Sequence, residues 1–219
     1  MRQIVGLALS TVMVFATSVW LAAQRSDWDL GFSTDSNQVV LSFTYIHHML
    51  AEPDPVPLMR IYGDGRVHIH YPVYMQRSGD YELQLAPLEL RQLLLSVAET
   101  GAIDFRAEDV DQLRREERKR LEKQGVLFHI SDTTEMVMEL HLAWYEAPGL
   151  TGRIETLDKT IRWGNVTQEA QLFGAKSELQ GLAKSELQGL AESELLLQSL
   201  LERKDIRRMT QAEDGQQEQ

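Results

Sequence analysis

His68-x-His70 is the pair of side chains in this chain best spaced for chemistry. In an extended strand, alternate residues project from one face about 7 Å apart, close enough for two imidazoles to share a metal ion. His47 and His48, near the end of an earlier strand, would complete the ligand set if the two strands adjoin. Imidazole ligands point to zinc or copper. The plainer account is the polar face of an exposed hairpin, where histidines need no metal. His129 and His141 fit a shared site less well, because the register that pairs Ile130 with Met136 leaves them several residues apart along the sheet.

Other reaction machinery is absent from the chain. There is no cysteine, which removes disulfides, thiolate ligands and cysteine nucleophiles together. No Gly-x-Ser-x-Gly, His-Glu-x-x-His or phosphate-cradling glycine loop occurs. Asp104, Glu108, Asp109 and Asp111 cluster where a helix is expected to begin, and the helix dipole accounts for them without catalysis.

The elements that would carry these residues follow from periodicity. Val39 to His47 alternates as a half-buried strand, and Pro53, Pro55 and Pro57 make the next segment an extended connector. Leu58–Tyr62 and Arg66–Tyr71 flank Gly63-Asp64-Gly65, a hairpin signal. A three-residue loop sets Ile61 opposite Val67 and Met59 opposite Ile69, leaving Arg60, Tyr62, Arg66, His68 and His70 on the other face. Tyr81, Leu83 and Leu85 predict a further strand, and Leu90, Leu93, Leu94 and Val97 predict a helix from Pro87 that stops by Gly101. A surface helix is expected over about 107–124, its mixed charges spaced for ion pairs. Val126, Phe128 and Ile130 predict a second hairpin with Met136, Met138, Leu140, Leu142 and Trp144, and Lys159–Trp163 a short strand after it.

Near the C-terminus Ala175-Lys-Ser-Glu-Leu-Gln-Gly-Leu182 recurs unchanged from Ala183 to Leu190, and a degenerate copy opens at Ala191-Glu-Ser-Glu-Leu195. Leu172, Ala175, Leu179, Leu182, Ala183, Leu190, Leu197, Leu200 and Leu201 share a helical face that Glu186 and Ser193 interrupt. This predicts an amphipathic helix with a break near Gly181 or Gly189. Such a face seeks cover, either the protein's own sheet, a second copy, or a protein partner.

Arg2 followed by the apolar run Ile4 to Ala23 predicts an export signal, or an uncleaved anchor with the body outside the cytoplasm. Only this segment would touch a membrane. A net charge of −11 argues against nucleic acid as a partner. The expected organisation is an export or anchor segment over 1–23, a polar tether over 24–38, and an α+β domain of antiparallel hairpins over 39–166. A helical segment over 167–209 and a disordered tail over 210–219 complete it. The expected function is that of a non-enzymatic envelope protein, periplasmic or secreted, that binds or assembles. The alternative is a metal-binding protein or metalloenzyme built on His68, His70, His47 and His48.

Overall fold

The computed structural model describes residues 28–48, 54–125, 134–170 and 182–210. The N-terminal apolar run, His129, the first octad up to Gly181 and the residues after Thr210 lie outside them. The fold is mixed α+β, with an eight-stranded antiparallel sheet, four α-helical segments and a 3₁₀ turn among the described residues.

The strands are β1 (Asp29–Gly31), β2 (Val39–His47), β3 (Met59–Tyr62), β4 (Arg66–Tyr71), β5 (Gly79–Gln84), β6 (Thr134–Glu146), β7 (Ile154–Gly164) and β8 (Arg207–Arg208). Their order is β1-β6-β2-β3-β4-β5-β8, with β7 paired to β6. The helices are α1 (Pro87–Glu99), α2 (Ala107–Lys123) and α3 (Leu182–Leu201), with a 3₁₀ turn at Ala102–Asp104. A short helical stretch at 166–170 adjoins β7.

The first hairpin has the expected register. Ile61 faces Val67 and Met59 faces Ile69, all four fully buried. Gly65 turns the chain at φ +88°, a conformation that side chains with a Cβ resist. Asp64 Oδ1 accepts from the Arg66 amide at 3.0 Å and so braces the loop. Proline at the first position starts α1, and Glu89 reaches back to the Ala86 amide at 3.3 Å.

Helix contacts reach the sheet through the face that carries Tyr45, Tyr145, Lys159 and Trp163. Between helices and sheet lies one apolar cluster, including Leu41, Phe43, Met138 and Leu140 from the strands, Leu90 and Leu94 from α1, and Leu187, Leu190 and Leu197 from α3. No described helix is long and apolar enough to cross a membrane.

Five expectations are corrected. The polar stretch before Val39 is not wholly a tether: β1 pairs with β6 through Leu30 and Tyr145, and Leu30 is fully buried. Strand β6 takes β2 and β7 as its neighbours, with Met136 opposite both Tyr45 and Trp163, while 126–130, its expected hairpin partner, lie outside the described residues. Its burial alternation changes phase after Leu142, so that Tyr145 is buried and Trp144 only half-buried, with the Arg153 guanidinium over its ring. Arg207 and Arg208, assigned above to the helical segment, add a strand to the edge of β5.

The fifth correction concerns Gly189, which does not break its helix; Gly181, the other position expected for a break, lies outside the described residues. Helix α3 runs through it because the Thr100 carbonyl at the end of α1 comes so close that a Cβ there would lie 2.0 Å from the oxygen. The glycine serves helix approach, not a bend.

Candidate functional site: the polar sheet face and a buried carboxylate

Because β2, β3, β4, β5 and β8 are in register, side chains on the face away from the helices form rows. One row runs Thr160, Glu139, Ser42, Arg60, His68, Glu82, Arg207 across seven strands. Acidic and basic residues are interleaved along it, the arrangement that favours cross-strand pairs. Ser42 Oγ donates to Glu139 Oε2 at 2.9 Å within this row. His141 pairs with Asp158 at 2.7 Å, and Glu135 with Arg162 at 3.2 Å, toward the β7 edge.

His68 and His70 lie on this face as their spacing demands, but their ring nitrogens meet carboxylates. His68 Nε2 lies 3.1 Å from Asp80 Oδ1, and His70 Nδ1 lies 2.7 Å from the same oxygen. The other nitrogen of His70, Nε2, lies 3.2 Å from Asp54 Oδ2. Both His70 nitrogens can donate together only when the ring is an imidazolium. Burial opposes that charge, but the hydrogen bonds to Asp80 and Asp54 outweigh it and raise the His70 pKa above the ordinary imidazole value. For His68 burial prevails over the Asp80 charge, helped by nearby Arg60, and lowers the pKa. Two histidines on one strand thus incline to opposite protonation states. Asp54, bound first by the Val56 amide and then by His70, is held below the usual carboxylate range.

His47 and His48 do not join them. Phe43 sits opposite Met59, which sits opposite Ile69, so His47 lies three residues beyond the row of His70 and two strands away. That is about 10 Å along the strands and about 10 Å across them. His47 Nδ1 lies 3.3 Å from Thr134 Oγ1, and His48 Nε2 lies 3.6 Å from Glu135 Oε2. Among the described residues no group of three or more such side chains is placed to hold a metal ion.

The helix side holds polar groups that the sequence pattern did not single out. Glu194, on α3, is 7% exposed and accepts from Tyr45 Oη at 2.7 Å and from Thr167 Oγ1 at 2.5 Å. Gln198 Nε2 donates to Tyr45 Oη at 2.6 Å. Burial, then the Glu194 carboxylate, push the Tyr45 hydroxyl pKa well up, which keeps it a donor. Tyr45, Thr167 and Glu194 border a cleft of about 190 Å³, further lined by Thr134, Met136, Asn165, Val166 and Gln168. Glu169 is buried as well, but it has the Arg114 guanidinium at 2.9 Å and the Trp163 indole N–H at 2.9 Å. Glu186 Oε2 is buried without a hydrogen-bond partner among the described residues, and burial raises its pKa.

A signal for the α3 carboxylates was present in the octads: Glu186 and Glu194 occupy equivalent positions in successive copies. Glu186 reads as an interruption of the leucine stripe, and Glu194 is set apart by its burial. Comparison with known proteins adds no relative, since no family model, curated protein or solved structure matches the chain.

Proposed function

We propose that the chain is a non-enzymatic binding or assembly protein that works outside the cytoplasm, in the envelope or secreted. It is one α+β domain, packed by amphipathic helices, that presents the polar face of its sheet to a protein partner. The observation that carries this proposal is the charged row from Glu139 to Arg207 on the face away from the helices. Such a face offers directional, charge-complementary contacts, which give specificity to a binding surface. The Arg2 and Ile4 to Ala23 segment supports export.

Two measurements test it. A reporter active only outside the cytoplasm, fused after Gln38, should be active, and a silent but stable fusion would reject export. A photo-crosslinking residue at Arg162, whose side chain is 55% exposed on the polar face, should yield a discrete adduct in cells. One at Leu195, exposed on α3, should not. The reverse pattern sinks the assignment of the face.

A second proposal, zinc or copper binding at His68 and His70, has one observation in its favour: both rings converge on a single oxygen of Asp80, with Asp54 behind His70 as an orienting carboxylate. Metal analysis of untagged protein decides it. Stoichiometric metal lost in His70→Asn supports it, and metal-free protein that ignores added zinc and copper removes it.

A further inference from the structure

Glu194 is an anion-forming group taken out of water with only neutral donors to balance it. Its two oxygens accept from Tyr45 Oη and Thr167 Oγ1, and no cation pairs with it among the described residues. The contrast with Glu169 is direct, because that equally buried carboxylate has Arg114. Burying a carboxylate without a counter-charge is unfavourable, and hydroxyl donors offset that only in part. A carboxylate offers about four lone-pair positions, so two remain after these bonds. Gln198, donating to Tyr45, and Thr167 fix its orientation from both sides.

The cleft bordering Glu194 has the size and lining for the missing charge. At about 190 Å³ it falls below the volume of a drug-sized pocket and suits a small molecule. Thr134, Asn165 and Gln168 provide hydrogen-bonding groups, while Met136 and Val166 offer apolar contact. Thr134 and Asn165 are themselves tied together, the Thr134 amide to Asn165 Oδ1 at 3.2 Å and the Asn165 amide to the Thr134 carbonyl at 2.8 Å. The wall is therefore built before any ligand arrives. We propose that this cleft binds a small primary ammonium compound, with Glu194 as its counter-ion and Met136 and Val166 against its short alkyl arm. The site is separate from the polar sheet face and does not depend on its role.

The test is a titration of the full chain with n-propylammonium chloride, followed by thermal unfolding and by calorimetry. Tetramethylammonium chloride at equal ionic strength serves as control, since it has the charge but no N–H to donate. Saturable stabilisation by n-propylammonium alone is expected. Glu194→Gln keeps an acceptor for the hydroxyls and deletes the charge, so it should fold at least as well as the wild type and bind about tenfold more weakly or worse. Gln168→Trp, at an exposed position on the cleft, should block binding without touching the carboxylate and stands in should Glu194→Gln fail to fold. No saturable response in the wild type, an equal response to tetramethylammonium, or binding retained in the folded variants would overturn the proposal.

Discussion

The first hairpin and helix α3 are both amphipathic by pattern, yet they treat their polar residues in opposite ways. In β3 and β4 every residue off the apolar register, from Arg60 to His70, lies on the face away from the helices. In α3 two polar residues are drawn inside among exposed ones: Ser193 is fully buried and hydrogen-bonded to Thr100 Oγ1 at 2.6 Å, and Glu194 is 7% exposed. A strand has two faces, so alternation alone decides which side chains are covered. A helix has flanks, and α3 is met by the sheet through Tyr45, by the end of α1 at Thr100, and by α2. Polarity in such a helix does not predict exposure. It predicts a demand for partners.

The largest expected effect tests whether α3 is integral to the core. Leu190 is fully buried, so Leu190→Ala should cost about 2 to 5 kcal/mol in urea unfolding, equally at low and high protein concentration. A loss that deepens on dilution would mean that the stripe is covered by a second copy instead.

Gly189→Ala sharpens the contrast further. By helix propensity alone this change should stabilise by about 1 kcal/mol. The Thr100 carbonyl stands in the way, so the expected outcome is a destabilisation of about 1 to 3 kcal/mol. A stabilised variant would show that the helices can part at no cost.

The smallest effects lie on the hairpin, and their signs are opposed. His70 has a raised pKa in the folded chain, so its contribution is complete below the ordinary imidazole value of about 6.5 and fades as pH rises through the folded value. His68 has a lowered pKa, so the folded state disfavours its protonation and stability falls as pH drops from about 6.5 through the folded value. Both side chains are partly exposed, so each effect should be about 1 kcal/mol or less. Unfolding of wild type, His70→Asn and His68→Asn at several pH values should show the advantage over His70→Asn shrinking toward high pH, and that over His68→Asn shrinking toward low pH. Parallel slopes would break the assignment.

What could be foreseen in the sequence follows the same division. The bounds of β2, the hairpin register and α1 were legible because each is set by residues a few places apart. Strands β1 and β8 were not, since two or three residues carry no alternation. Their pairing rests on distant partners, such as Arg91, which donates to the Leu30 carbonyl at 2.8 Å. Alternation along β6 predicts a covered face but cannot say which strands will lie beside it, and β2 and β7 do. At the polar face, the common orientation of His68 and His70 was readable, and Asp80 would have followed from setting Tyr81 opposite Ile69. Asp54 sits in an irregular connector and could be found only in the fold.

The octads look like a cassette that replication could lengthen or shorten freely, but within α3 the helix restricts where a copy could go. Eight residues advance about 12 Å and turn about 80° beyond two full revolutions, so successive copies aim the same glutamate at different surroundings. Eight residues inserted between Gly189 and Glu194 could not leave both Glu194 at Tyr45 and Gly189 at the Thr100 carbonyl. The spacing between these two contacts is therefore locked by geometry, within a stretch whose coding sequence repeats.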